Sequence, residues 1–132
     1  KEYRRQRQMC IRDSGTGGAL VVWGAALAPG AAEVAELIGL ADAISDADIV
    51  ITGEGSYDGQ SGDGKVPSFI AGLAASAGAV ALLAAGRITA DSDVSLFAAS
   101  ASLTDIAGSP DAALAEPARW LREAGALLAS SV

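Results

Sequence analysis

Glu54, Asp58 and Lys65 lie in one glycine-rich stretch that runs from Gly53 to Lys65. Two carboxylates so placed can position a hydroxyl, accept its proton, or hold Mg²⁺, which takes oxygen ligands. Lys65 precedes a helical pattern, so its ammonium and the free N–H groups of the helix start can meet phosphate together. Phosphoryl transfer needs this combination of positioning, metal and positive charge on the transferred group. On residue types alone the alternative stands beside it: Glu54, Asp58 and Asp63 as solvated loop charges, and Lys65 as a surface cation. Two more familiar nucleotide motifs fail. Gly59-Gln-Ser-Gly-Asp-Gly-Lys65-Val66 lacks the final Ser or Thr of a P-loop, and some seven residues separate it from its strand. Gly53-Glu-Gly-Ser-Tyr-Asp-Gly59 mimics a dinucleotide fingerprint, but Glu54 would face the pyrophosphate that such a loop cradles.

A strand and a helix must hold these residues. The β-branched run Ile49-Val-Ile51 predicts a strand buried in a parallel sheet, and it empties into the loop at its carboxyl end, where ligands gather in open α/β sheets. Val66 to Ala77 predicts a helix with Pro67 in its first turn, closed by Gly78. Ala79 to Ala84 reads as the next strand, ending at Gly86-Arg87, and Phe97 to Leu103 as a weaker third. Asp111 to Ser130 reads as the last helix, with Leu114, Ala118, Leu121 and Leu128 inward and Pro117 marking a kink or its true start. Upstream, Gly15 to Ala28 reads as a glycine-rich loop running into a small-residue helix that ends near Pro29-Gly30. Ala31 to Ala41 has Val34, Leu37, Ile38 and Ala41 at helical spacing, and Asp42 to Asp48 is a polar connector. This alternation predicts an α/β layered sheet with right-handed crossovers.

Composition sets bounds on function. The chain of 132 residues is 51% apolar but 5% aromatic, and alanine dominates, so its core is thin for its length. Cys10 is the single cysteine and histidine is absent, which excludes an internal disulfide and His-dependent triads or zinc sites within the chain. No uninterrupted apolar run reaches membrane-spanning length, and the basic start leads into polar residues rather than a signal sequence. Residues 1–14 hold five Lys/Arg against two acids, a net of +3, whereas the rest holds four against fourteen, a net of −10. A body so acidic repels nucleic acid and anionic membranes. Met9-Cys-Ile-Arg-Asp-Ser14 looks like one frame of the transposon end used to fragment DNA for sequencing, so residues 1–14 are expected to be an artefact tail outside the fold.

Across Asp48–Pro67 the pattern D-I-V-I-T-G-E-G-x-x-D-G-Q-x-x-x-G-K-x-P resembles the signature of bacterial glycerate kinases of the glycerate 2-kinase type. Gly15-Thr-Gly-Gly18 and Ser102-Leu-Thr-Asp-Ile-Ala-Gly-Ser109 extend the likeness through flanks that are Ala/Gly-rich and less specific. The resemblance implies a cytoplasmic enzyme that moves the γ-phosphate of ATP, with Mg²⁺, to a hydroxyl of D-glycerate, with no nucleic-acid or membrane partner. Catalytic roles then fall to Glu54, Asp58 and Lys65, and metal binding to Asp58. Nucleotide or substrate contacts fall to Thr52, Gly53, Gly55, Gln60 and Gly64. A non-catalytic domain that binds a nucleotide or another small ligand is the alternative.

The same resemblance implies a partial, Rossmann-like parallel sheet with flanking helices, truncated at its N-terminal side. Residues 15–41 would end an inserted domain and residues 42–132 would form the C-terminal part of the Rossmann-like domain. A sheet without its opening strands exposes an apolar face, so the isolated chain is expected to be unstable and inactive. Ser56 departs from the family, whose members usually carry an arginine there; if that arginine binds phosphate or the glycerate carboxylate, this chain lacks a bidentate partner that serine cannot replace. Tyr57 likewise replaces an aliphatic residue.

Overall fold

The computed structural model describes residues 16–26, 28–59 and 66–132, which fall into two compact units divided after Gly30. The described part of the first unit carries one short helix, α1 (Thr16–Val22), with Gly17 and Gly18 inside the helix rather than in a loop before it. It stops where Gly24 takes φ 104°. The expected artefact tail at residues 1–14 lies outside the described residues.

The second unit begins at Ala31 within α2 (Gly30–Leu37) and continues with α3 (Leu40–Ser45), and Gly39 between the two helices is in the left-handed region. Strand β1 (Ile49–Tyr57), helix α4 (Val66–Ala77) and strand β2 (Val80–Ile88) follow, then strand β3 (Ala99–Ser102). Three helices complete the unit: α5 (Leu103–Ala107), α6 (Pro110–Ala115) and α7 (Pro117–Ala129). The strands form one sheet in the order β1-β2-β3, all parallel, so the α/β class and the partial Rossmann-like sheet expected from the sequence are what the chain adopts.

Local chemistry explains the boundaries. Pro67 sits in the first turn of α4, and Gly78 closes that helix at φ 78°, a backbone state that a Cβ disfavours. Ser102 and Ser109 cap α5 and α6 by accepting from the N–H groups of Asp105 and Ala112. Of the two roles expected for Pro117, a kink or the last helix's true start, the second holds: α6 ends at Ala115 and α7 begins at Pro117, which lacks the N–H that a continuous helix would need there.

Two small cores sandwich the sheet. On one face, Ala71 and Ala74 of α4 pack with Ala81, Leu83 and Ala85 of β2, and with Tyr57 and Phe97. Their rings meet edge to face at 5.8 Å and 84°. On the other, Leu82, Ala101, Leu103, Ala113, Ala124 and Leu128 pack together. Helix α7 enters this core along the stripe Trp120-Ala124-Leu128, its rotation set by Trp120 Nε1 donating to the Ala112 carbonyl at 2.9 Å. Hence Leu128 is buried as expected, whereas Leu114, Ala118 and Leu121 face outward. In α2 and α3 the buried residues are Ala35 and Ile44, and Val34, Leu37, Ile38 and Ala41 are exposed.

The second core covers β2 and β3 but stops short of β1. Ile49 and Ile51 are 45% and 61% exposed, against the expectation that this run is buried on both faces. Val80, register partner of Ile49, is 38% exposed and extends the bare apolar strip.

Candidate functional site

Strand β1 runs on through Thr52, Gly53, Glu54 and Gly55 to Tyr57, so positions read as loop are held in the sheet. Glycine permits this. An ideal Cβ on Gly53 would run into the carbonyl oxygen of Ala84, its register partner, and one on Gly86 would lie 2.5 Å from the carbonyl oxygen of Gly55. The two strands therefore approach more closely here than side chains allow. A Cβ on Gly55, by contrast, would meet nothing within 4 Å among the described residues.

The inward alternation slips by one residue at the same level. Val50 and Tyr57, an odd number of residues apart, belong to one core, as do Ala85 and Ile88. Period-two geometry would send the members of each pair to opposite faces. Gly55-Ser56 and Gly86-Arg87 occupy the slip. Ser56 and Arg87 are register partners there, and Arg87 donates from Nε (3.3 Å) and Nη2 (3.0 Å) to Ser56 Oγ.

Past this point the chain is tied to the β2–β3 connection. The Tyr57 carbonyl accepts from Thr89 N and from Ser92 Oγ, each at 3.0 Å. Tyr57 Oη donates to the Asp93 carbonyl at 3.0 Å. Thr89 Oγ1 donates to Asp91 Oδ1 at 2.6 Å, and Gly59 lies so close to Asp91 that a Cβ there would sit 2.6 Å from Oδ2. Hydrogen bonds from Ser95 hold the Asp93 carboxyl below the usual carboxylate range. Thr104 Oγ1 donates to the Gly86 carbonyl at 2.8 Å, fastening α5 to the end of β2.

Of the residues singled out from sequence, Thr52 is buried beside Leu83, while Glu54 and Asp58 are half-buried in and just after the end of β1. Gly53 and Gly55 are exposed. Gln60, Asp63, Gly64 and Lys65 lie outside the described residues. The carboxyl end of β1 thus gathers Glu54, Gly55, Ser56 and Asp58, with Arg87 alongside. Arg87 was not singled out because it stands 31 positions from Ser56 and only strand register joins them. Its signal in the sequence was the Gly86-Arg87 pair at the end of a strand.

Among the described residues no group of three or more His, Cys, Asp or Glu is arranged to hold a metal by itself. The donor set at this end of the sheet fits Mg²⁺, which is commonly held by one or two carboxylates together with phosphate oxygens and water. Two grooves of about 390 and 350 Å³ lie elsewhere; neither lining includes Glu54, Asp58 or Arg87. No helix among the described residues is long and apolar enough to cross a membrane.

Comparison with known proteins agrees with the motif. The chain is 36% identical over 110 residues to the uncharacterized protein Mb2228c of Mycobacterium bovis and to the uncharacterized protein MT2261 of Mycobacterium tuberculosis. The aligned stretch covers 81% of this chain but 29% of each relative, so the chain spans under a third of the curated relatives it matches. No solved structure matches it significantly. The profile of the glycerate kinase family matches residues 14–132, and the chain belongs to that family.

Proposed function

We propose that this chain is the C-terminal part of a kinase that transfers the γ-phosphate of ATP to a hydroxyl of D-glycerate. The observation that supports it is the placement of Glu54 and Asp58 around the open backbone of Gly55, at the carboxyl end of a parallel strand, in a chain of the glycerate kinase family. On this reading Asp58 contributes a carboxylate oxygen to Mg²⁺. Glu54 orients the glycerate hydroxyl and takes its proton as the oxygen attacks phosphorus. Gly55 lets a phosphate or the substrate come within hydrogen-bond distance of the strand end. Thr52 and Gly53 shape the strand beneath it, and Gln60, Gly64 and Lys65 supply donors to the phosphates. Mg²⁺, when bound, offsets charge on the transferring group.

Because the chain spans less than a third of its relatives, the rest of the site belongs, on this reading, to the part of the fold outside Gly15–Val132. The isolated chain then turns over no glycerate. The domain reading follows the same logic, with residues 15–41 ending an inserted domain and 42–132 closing the nucleotide-binding one.

The test is glycerate-dependent ADP release by the protein translated from the complete reading frame, with Glu54→Gln and Asp58→Asn beside it. The reading expects turnover that falls by at least about a hundredfold in each variant, in keeping with loss of a positioned acid–base group. Mg²⁺-dependent ATP binding without turnover would instead support a binding domain.

A further inference from the structure

The geometry points to Arg87, held by Ser56, as an oxyanion-binding residue of this site, taking a carboxylate or phosphate group of a ligand at the carboxyl end of the sheet. The inference rests on the kinase reading for the ligand's identity but not for the contact itself.

Four observations carry it. Arg87 is exposed at the strand end, where parallel sheets bind ligands. Its guanidinium is fixed there, with Nε and Nη2 both directed at one neutral oxygen, Ser56 Oγ. One hydroxyl cannot neutralise a cation that presents five donors, and Nη1 is given no acceptor among the described residues. Finally, the chain is acidic and Arg87 is the described cation at this end of the sheet. Arg119, on α7, pairs with Glu116 at 3.0 Å and lies 4.4 Å from the Trp120 ring centroid, and Arg122 is on the same helix.

Ser56 also has a second role in this arrangement. With its lone pairs accepting from Arg87, its own O–H is left to donate outward, so the pair forms a mixed set of donors for one anionic group. The slip at Gly55-Ser56 and Gly86-Arg87 is what aims both side chains away from the core. A planar fork suits the two oxygens of a carboxylate or phosphate, and lysine does not reproduce it.

The test titrates the protein from the complete reading frame with D-glycerate, inorganic phosphate and MgATP separately, following the Arg87 side-chain Nε–H and Ser56 amide resonances by NMR. Wild type is expected to show a saturable shift at both positions. Arg87→Ala should weaken that affinity by about tenfold or more, the range of a lost charge-assisted hydrogen bond. Arg87→Lys should recover only part, and Ser56→Ala should lose less than Arg87→Ala. Saturation by glycerate and phosphate alike marks a general oxyanion site, by glycerate alone a carboxylate site, and by phosphate or MgATP alone a phosphate site. No saturable shift, or a shift equal in Arg87→Ala, overturns the inference. Turnover in the complete protein separates the two claims. Turnover with an unchanged KM in Arg87→Ala sinks the inference and keeps the kinase reading; saturable binding at Arg87 without turnover does the reverse.

Discussion

Gly53 of β1 lies so close to the carbonyl oxygen of Ala84 on β2 that no Cβ fits between them, although two residues on, at Gly55, a Cβ would meet nothing among the described residues. Two glycines of one motif therefore have different reasons to be glycine. Gly53 serves strand packing, and Gly55 leaves open space among the described residues.

That difference predicts opposite outcomes for one substitution. Gly53→Ala should destabilise the fold by at least about 1–3 kcal/mol through overpacking against backbone that cannot move aside. Gly55→Ala should leave the melting temperature within about 2 °C, in line with a surface change. It should nonetheless weaken MgATP or glycerate binding. Thermal melts paired with ligand titration of both variants decide it, and equal stability of the two variants contradicts the packing argument.

The bare strip of Ile49, Ile51 and Val80 predicts self-association of the isolated chain. Ile51→Thr keeps a β-branched residue in the strand and removes apolar surface. It should lower the sedimenting aggregate at a given concentration without lowering the melting temperature. A large loss of stability would mean that Ile51 is buried in solution.

Much of this was legible in the sequence, for physical reasons. The run Ile49-Val-Ile51 and the Pro67 to Gly78 interval carry strong local signals, and both elements form. The parallel sheet followed from the alternation of strands and helices. Strand β1 was cut short because Gly53 and Gly55 are turn formers by propensity, and only the neighbouring backbone of Ala84 makes them strand residues. Leu121 was misassigned to the core because the rotation of α7 is set by a tertiary bond, Trp120 to Ala112, rather than by its own periodicity. Arg87 stayed hidden for the same reason, since its meeting with Ser56 depends on register.

Tyr57, the last residue of β1, joins the site's strand to the core and to the β2–β3 connection. Tyr57→Phe keeps the ring against Phe97 and loses the bond to the Asp93 carbonyl, so it should cost about 0.5–1.5 kcal/mol. Leu83→Ala, at a residue wholly buried under α4, should cost about 2–5 kcal/mol. Denaturant titration reads both, and a Tyr57→Phe cost above that of Leu83→Ala would contradict this ordering.

The Asp93 carboxyl accepts from Ser95, which holds its folded pKa below the ordinary value of 3.8. A group with a depressed folded pKa adds stability above its unfolded pKa, and that contribution is lost as pH falls through the folded value. The order of the 93–95 turn should therefore persist down to about pH 4 and loosen below it. Ser95→Ala removes the side-chain donor and keeps the backbone N–H, so the Asp93 midpoint should rise part of the way back. Carboxyl ¹³C titration by NMR reads the midpoint, and no change in Ser95→Ala contradicts the assignment.

The most direct test of the central claim is ³¹P NMR of D-glycerate and MgATP incubated with the protein from the complete reading frame. Resonances of a phosphoglycerate and ADP should grow together in wild type and stay absent in an Asp58→Asn variant that still melts cooperatively. A folded protein that binds MgATP and yields no phosphoglycerate, or an Asp58→Asn variant as active as wild type, would contradict it.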